Sequence, residues 1–150
     1  MTRQNKPVIA FVCIENSCRS QIAEAFAKGI NQSSYGILSA GSFPSGEVNP
    51  RAISLMQELG YDMSAQKSTG IGSLEGEEIE ALITMGCGDS CPNISSKQNI
   101  DWQIPDPKHM SLDEFRSVRD HIRGRVDGLF KSLLNCWSVR IAVESLSIRR

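Results

Sequence analysis

The chain has 150 residues, of which 40% are hydrophobic and 22% are charged, and its formal net charge is −1. This length suits one domain with a substantial core, and the charge balance excludes a polybasic binder of nucleic acid or membrane surfaces. No apolar run approaches the roughly 20 residues that span a bilayer, and the run over residues 8–12 is too short and lacks the flanks of a signal peptide. We therefore expect a cytoplasmic protein that binds neither nucleic acid nor membrane.

The first part of the chain alternates predicted strands with predicted helices. Residues 7–14 (PVIAFVCI) form a continuous apolar run, which is typical of a strand buried on both faces in a parallel sheet. Apolar residues recur at helical spacing over residues 19–31, and residues 35–40 (YGILSA) predict a second strand. Asn49 followed by Pro50 predicts the start of a second helix, which Gly60 ends.

The second part continues this alternation. Residues 79–85 (IEALITM) predict a third buried strand, and residues 102–104 a short fourth one. Ser111 and Glu114 form a capping box at the start of a long helix. The pattern predicts a single-domain, three-layer α/β/α fold with a central four-stranded parallel sheet.

The end of the chain is harder to interpret. Val139, Ile141 and Val143 alternate as in a strand, but a helical extension fits the same residues. We divide the chain into a domain over residues 1–134 and a C-terminal extension over residues 135–150, whose role is unknown.

A C-x5-R-S motif lies between the first strand and the first helix, at Cys13, Arg19 and Ser20. Backbone N–H groups in a loop of this length can wrap around a tetrahedral oxyanion, and the helix adds the positive end of its dipole. We therefore predict an oxyanion-binding loop that consists of Ile14, Glu15, Asn16, Ser17, Cys18, Arg19 and Ser20.

Cys13 is the predicted nucleophile of this loop. Arg19 can hold two anion oxygens as a planar fork, and the same positive field favours the thiolate form of Cys13. The Ser20 hydroxyl can donate a further hydrogen bond to the sulfur. A thiolate held against the central atom of an oxyanion attacks it in line. A packing role for Cys13 is the alternative, which the arginine and serine at this spacing disfavour.

The segment CIENSCRS resembles the C-x4-C-R-S signature of low-molecular-weight tyrosine phosphatases and of the arsenate reductases that share their fold. The segments LSAG, GEVNPRAISLMQELG, and PDP followed by FRSVRDHIRGRV resemble the arsenate reductase branch, so the resemblance extends to about residue 134. It implies a low-molecular-weight phosphatase-like fold and the reduction of arsenate to arsenite. The alternative is a low-molecular-weight protein tyrosine phosphatase that hydrolyses phosphotyrosine through a phosphocysteine at Cys13.

The resemblance also assigns roles to individual residues. It implies that Asn16 braces the loop, that Ser20 stabilises the Cys13 thiolate and that Cys18 is mainly a packing residue. Asp106 stands between Pro105 and Pro107, which restrict its backbone, and the resemblance makes it the general acid. An ordinary turn aspartate is the alternative.

Two further cysteines, Cys87 and Cys91, follow the third strand in the segment MGCGDSCP. The odd total of five cysteines argues against a structural disulfide framework. The resemblance implies a relay in which Cys87 attacks the Cys13 sulfur, arsenite leaves, and Cys91 then attacks Cys87. Thioredoxin would reduce the resulting disulfide, with mycothiol or glutathione as the alternative reductant. A zinc site is disfavoured because the pair supplies only two ligands, and we expect no tightly bound cofactor or metal.

Some reductases of this family bind a potassium ion beside the loop, and Asn16, Glu24 and Ser39 match that site. The acidic partner has no match, because residues 67–69 read KST.

Two observations bear on the competing functions. Phosphatases of this family place an aromatic residue after the acid's Asp-Pro, whereas Lys108 and His109 follow here. A non-catalytic oxyanion-binding or redox-sensing module is disfavoured because both Arg19 and Asp106 are present. The expected partners are therefore an arsenate or phosphate oxyanion and thioredoxin.

Overall fold

The computed structural model describes residues 6–31, 34–86 and 93–148, with side chains up to residue 135. Its helices and strands are, in chain order, β1 (Val8–Cys13), α1 (Arg19–Ile30), β2 (Gly36–Gly41), α2 (Pro50–Gln57), β3 (Ile79–Thr84), β4 (Gln98–Asp101) and α3 (Leu112–Ile148). Short 3-10 helices occupy Ile71–Leu74 and Pro107–His109. None of the helices in the described ranges is both long and apolar enough to cross a membrane.

The four strands form one parallel sheet in the order β2-β1-β3-β4. The chain passes from β1 to β2 on one side and then returns to β3 on the other side of β1. In open α/β sheets, ligands bind outside the carboxyl ends of the strands at such a reversal. The expected ligand site therefore lies at the carboxyl ends of β1 and β3, at Cys13 and Thr84. The predicted α/β class and parallel four-stranded sheet are confirmed.

The strand β1 is buried on both faces, as its unbroken apolar run predicts. Ile9, Phe11 and Cys13 face a large core cluster to which α1, α2 and α3 all contribute. Val8, Ala10 and Val12 belong to a smaller cluster, which includes Leu74 of the first 3-10 helix and Leu82 of β3. Burial on both faces holds the end of β1, and with it Cys13, in a rigid position.

Two helices, α2 and α3, begin at the predicted capping residues Asn49 and Ser111. Asn49 Oδ1 accepts a hydrogen bond from the Arg51 N–H at 2.8 Å. Ser111 and Glu114 form a reciprocal capping box, with Glu114 N–H donating to Ser111 Oγ at 3.2 Å and Ser111 N–H to Glu114 Oε1 at 3.3 Å. The apolar stripe of α3 is buried and consists of Phe115, Val118, Ile122, Val126 and Leu129.

The predicted fourth strand is wrong in its position. The strand lies at Gln98–Asp101, and Trp102 follows it. Among the described strands it pairs with β3 alone, so it lies at the sheet edge, and three of its four residues are exposed. An apolar run therefore does not mark it, whereas Trp102 is apolar because it packs against Phe11 in the core, with ring centroids 5.9 Å apart.

The backbone after residue 134 is helical. The helix α3 continues to Ile148 and has 37 residues, so the helical alternative for this segment is correct as far as residue 148.

Candidate active site

The loop between β1 and α1 curls around Cys13. Cys13 ends β1 and is buried, and α1 begins at Arg19. The backbone N–H of Asn16 donates a hydrogen bond to Cys13 Sγ at 3.2 Å, and Ser20 Oγ lies 2.9 Å from the same sulfur. Asn16 has a φ of 50°, in the left-handed region that asparagine tolerates better than most residues. This backbone conformation directs the Asn16 N–H at the Cys13 sulfur.

The carbonyl groups of the loop are all directed at the surrounding scaffold. Five successive carbonyl oxygens, from Cys13 to Ser17, accept hydrogen bonds at 2.8–3.2 Å. Their donors are, in order, the N–H groups of Ser42, Phe43 and Ser45, Gln21 Nε2 and the Asn49 N–H. In a trans peptide the N–H points away from the carbonyl, and this structure has no cis peptide among the described residues. The N–H groups of residues 14–18 therefore face away from these partners, as an oxyanion cradle requires.

The amino end of α1 adds to this positive field. Cys18, at the N-cap position, makes no side-chain hydrogen bond to the helix, and the first turn contains no acidic residue. The first N–H groups of a helix lack intrahelical partners and carry partial positive charge. An anion in the loop would therefore meet a helix end that no acidic side chain of that turn neutralises.

Asn16 fixes the shape of the loop through its buried side chain. Its Nδ2 donates to Ser20 Oγ at 2.8 Å and to Ser39 Oγ at 3.0 Å. Its Oδ1 accepts from the Thr69 N–H at 2.8 Å and from Gln21 Nε2 at 2.9 Å. Both ends of the amide are satisfied, so the loop is held from α1, β2 and the segment around Thr69.

Asn16, Ser39 and Glu24, the residues that match the family's potassium site in sequence, form one hydrogen-bonded chain through Ser39. Ser39 Oγ donates to Glu24 Oε1 at 2.7 Å, and Lys28 Nζ donates to Glu24 Oε2 at 2.9 Å. The Glu24 carboxylate is thus paired with an ammonium group of its own helix. Among the described residues, no group of three or more histidine, cysteine or acidic side chains is arranged to hold a metal ion.

Arg19 is buried at the reversal point of the sheet. Its Nη1 donates to the carbonyl oxygens of Met85, just after β3, and of Ile104, after β4, the latter at 2.8 Å. Its Nε and Nη2 have no hydrogen-bond partner among the described residues. The two carbonyls thus orient the guanidinium and leave donors for an oxyanion.

Asp106 lies in the loop that leads into the second 3-10 helix. Its Oδ1 accepts a hydrogen bond from the Lys108 N–H at 3.0 Å, so it caps that short helix. It also lies close enough to Cys18 for its charge to disfavour the Cys18 thiolate. Asp106 therefore has the local geometry of a turn aspartate, as the alternative interpretation states, and also faces the oxyanion loop.

Cys18 is buried, and its environment keeps it protonated. Burial raises the pKa of the Cys18 thiol to about 11, and the nearby Asp106 carboxylate contributes to the same shift. A thiol in this state is a poor nucleophile near neutral pH. The structure thus favours packing as the role of Cys18.

Cys87 and Cys91 lie outside the described residues. The chain before them is described as far as Gly86, which has a φ of 75° and whose N–H donates to Asp101 Oδ1 at 3.3 Å. A Cβ at Gly86 would lie 3.6 Å from Arg19 Nη1. Gly86, the last described residue before both cysteines, therefore lies beside Arg19.

Three residues support the site without having been predicted to do so. A Cβ at Gly41, the last residue of β2, would lie 2.5 Å from the Ile14 carbonyl oxygen and 2.8 Å from the Asn16 nitrogen, so only glycine fits there. Gln21 is fully buried against Asn16. Arg51 donates to the carbonyl oxygens of Lys108, at 3.3 Å, and of Met110, which holds the Asp106 loop. Gly41 could have been noted from the sequence, because it is a glycine at the end of a strand. No sequence motif joins Gln21 or Arg51 to the residues that they contact, so neither could have been found in this way.

The sequence model of the family described as low molecular weight phosphotyrosine protein phosphatase matches residues 8–136. The protein belongs to this family. It is 39% identical over 128 residues to the glutaredoxin arsenate reductase of Synechocystis sp. (strain ATCC 27184 / PCC 6803 / Kazusa). The alignment covers 83% of this chain and 97% of the relative.

Solved structures of family members support the same assignment. An arsenate reductase in the phosphate binding state superposes on this protein with a TM-score of 0.77 at 37% identity. The superposition covers 84% of this chain and 98% of the reductase chain. A thioredoxin-dependent arsenate reductase from Corynebacterium glutamicum gives a TM-score of 0.74 at 30% identity, covering 90% of this chain and 65% of its own. The resemblance seen in CIENSCRS is therefore confirmed at the level of the family and its arsenate reductase members.

Proposed function

We propose that this protein reduces arsenate to arsenite, with Cys13 as the nucleophile. The observation that carries this proposal is the loop over residues 13–17, whose carbonyl oxygens are all engaged by the scaffold. The opposed N–H groups, the helix end and Arg19 form a site for a tetrahedral oxyanion directly above a buried thiol. Arsenate and phosphate share this shape and charge, and relatives at 36–39% identity are named arsenate reductases.

The first chemical step would form a bond between the Cys13 sulfur and arsenic. The Cys13 thiolate attacks arsenate in line, and one arsenic oxygen leaves as water after it takes a proton from Asp106. The N–H groups of the loop and Arg19 stabilise the negative charge on the remaining oxygens. Arsenic is still in its pentavalent state at this point.

The reduction itself requires a second thiol. In the proposed relay the Cys87 thiolate attacks the Cys13 sulfur, and a disulfide forms between them. The electron pair of the sulfur–arsenic bond passes to arsenic, which leaves as trivalent arsenite. Cys91 then attacks Cys87 and releases the Cys13 thiolate, and an external thiol reduces the Cys87–Cys91 disulfide.

The external reductant is proposed to be thioredoxin. The reductase from Corynebacterium glutamicum is named as thioredoxin-dependent, and the Synechocystis relative as a glutaredoxin arsenate reductase. Both names support a thiol as the electron source of this protein as well. Mycothiol or glutathione is the alternative donor, and the choice depends on whether Cys87 and Cys91 pair with each other.

Hydrolysis of aryl phosphates is the second candidate function, because it needs the same Cys13, Arg19 and Asp106. One observation favours it: the side chain of Phe43 is 70% exposed, and its backbone N–H is bonded to the oxyanion loop at the Ile14 carbonyl. The residues after Asp106-Pro107 argue against it, because Lys108 and His109 offer no phenyl ring to stack on a phosphotyrosine.

The test is a comparison of donors and substrates with the purified protein. Arsenate should be reduced when thioredoxin or a small thiol is supplied, and Cys13→Ser should lose this activity while keeping its fold by circular dichroism. If no thiol donor supports arsenate reduction while phosphotyrosine is cleaved efficiently, the protein is a phosphatase and the proposal is wrong.

A further inference from the structure

An ion pair connects the oxyanion loop to the loop that carries Asp106. Lys108 Nζ lies 3.1 Å from Glu15 Oε1 and 3.3 Å from Glu15 Oε2. Glu15 is the second residue after Cys13, and Lys108 is the second residue after Asp106. The two residues are 93 positions apart in the sequence, so the contact brings together the two parts of the site that must act on one oxyanion.

The backbone at both ends of this pair is held by other hydrogen bonds. The Glu15 carbonyl accepts from the Ser45 N–H and from Ser68 Oγ, each at 3.0 Å. The Lys108 N–H donates to Asp106, and the Lys108 carbonyl accepts from Arg51 at 3.3 Å. Exposed ion pairs usually contribute little, partly because two free side chains must be ordered. The anchored backbones fix where the two side chains begin, so the pair connects two loops whose positions are already set.

The charge on Glu15 gives the pair a second consequence. A carboxylate on an anion-binding loop repels an incoming dianion, and Lys108 offsets that charge. The hydrogen bond and charge of Glu15 raise the pKa of the Lys108 ammonium, so it stays protonated throughout the neutral range. Lys108 thus joins the two loops and also compensates the charge of Glu15.

We propose that Lys108 and Glu15 form an electrostatic clasp that holds Asp106 over the oxyanion loop and cancels the repulsion between Glu15 and the bound dianion. Both are positioning residues, because they act through Asp106 and through the field in the loop. The inference rests on the proposed function only in taking arsenate as the physiological dianion. Inorganic phosphate serves as the probe, since it has the same shape and charge.

Three variants separate the two effects of the clasp. Lys108→Met leaves Glu15 uncompensated, so phosphate should bind about three- to tenfold more weakly by calorimetry. Glu15→Gln also breaks the pair but removes the repelling charge, so phosphate should bind at least as tightly as in the wild type. The double variant restores the net charge that the pair has in the wild type, so it should bind phosphate about as the wild type does. Lys131→Met, on the exposed surface of α3, is the matched control and should bind like the wild type.

The turnover number reports on the positioning of Asp106. With p-nitrophenyl phosphate, Lys108→Met and Glu15→Gln should each lower kcat about two- to fivefold, the modest effect of an exposed pair. The double variant should be no slower than the slower single variant, because both changes break the same contact. The clasp is refuted if Lys108→Met matches Lys131→Met in both phosphate affinity and kcat, or if the effects of the two single changes on kcat add in the double variant.

A cross-linking experiment tests the contact without any enzymatic activity. A carbodiimide removes one water between the Lys108 amine and the Glu15 carboxylate and joins them by an amide bond. Peptide mapping should find the peptides of residues 15 and 108 linked in the wild type and unlinked in Glu15→Gln. If the wild type gives no such link, the clasp is wrong even if arsenate is reduced. If the link forms and phosphate binding follows the expected order but arsenate is not reduced, the clasp stands and the proposed reductase function fails.

Discussion

Ser20 Oγ lies 2.9 Å from Cys13 Sγ in the buried floor of the oxyanion loop. The Asn16 amide donates to the same hydroxyl oxygen at 2.8 Å, so that oxygen acts as an acceptor there and its proton is free to point at the sulfur. The two contacts together orient the Ser20 hydroxyl as a donor to the Cys13 thiolate.

This arrangement predicts that Ser20→Ala makes Cys13 less reactive. Loss of one hydrogen bond to a charged sulfur should slow alkylation of Cys13 by iodoacetamide at pH 6 by about tenfold. The rate is measured by mass spectrometry of the Cys13 peptide. Ser73→Ala, at an exposed site, is the control. An unchanged rate in Ser20→Ala would show that the hydroxyl does not donate to the thiolate.

The close approach of Gly41 to the loop predicts that Gly41→Ala damages the site more than the fold. A methyl group would overlap the Ile14 carbonyl and the Asn16 nitrogen, and both are backbone atoms that cannot swing aside. We expect about a hundredfold loss of turnover, as for other small displacements of reacting groups. Gly72→Ala is the matched control, since no atom lies within 4 Å of the position that its new methyl group would take. Equal activities of the two variants would contradict the contact.

Removal of the acid is tested by Asp106→Asn. Asparagine keeps the Oδ1 acceptor that caps the 3-10 helix, so the loop should survive while the proton donor is lost. Hydrolysis of an aryl phosphate should slow by about 10²–10⁴-fold, the usual contribution of a positioned acid. Asp127→Asn on α3 should have no effect. A rate within a few-fold of the wild type across about pH 5 to 8 would assign the proton to another group.

The thiol relay predicts different outcomes for Cys87→Ser and Cys91→Ser. Cys87→Ser should stop arsenate reduction with thioredoxin yet leave aryl-phosphate hydrolysis nearly intact, because water resolves a phosphocysteine. Cys91→Ser should allow one turnover and trap a Cys13–Cys87 disulfide, which peptide mapping without reductant detects. Normal thioredoxin-coupled reduction in both variants would exclude the relay. Reduction only after glutathione or mycothiol is added would assign the electrons to the small thiol.

The ion pairs between α2 and α3 predict a pH-dependent contribution to stability. Hydrogen bonds from Arg116 and Arg119 lower the pKa of Glu58 to about 2, from an ordinary value of 4.5. A lowered pKa means that the stabilisation is complete above about pH 4.5 and is lost as the pH falls through about 2. Glu58→Gln should therefore lower the melting temperature at neutral pH, by a small amount because the pair is partly exposed.

The check is thermal unfolding of wild type and Glu58→Gln as the pH is lowered. The gap between their melting temperatures should close over the range between the two pKa values. Glu75→Gln, at an exposed position outside this cluster, should show no such gap at any pH. A gap that stays constant into the acid range would mean that the carboxylate charge of Glu58 does not cause it.

The sequence by itself determined the features that depend on neighbouring residues. Strand β1, the turn at Cys13 and the start of α1 follow from an apolar run, a short motif and helical periodicity, all of which act over a few positions. The caps at Asn49 and Ser111 are equally local, because each side chain bonds a backbone group two or three residues away.

Only the tertiary structure decided what lies beside that motif. Three of the four residues of the edge strand β4 are exposed, so they carry no apolar signal. Gly41 against the loop and Lys108 against Glu15 are contacts between chain segments that are distant in sequence, and neither residue type predicts its partner. Such contacts are set by strand order and by how the loops pack over the sheet, and these result from burial of the whole core rather than from any local preference.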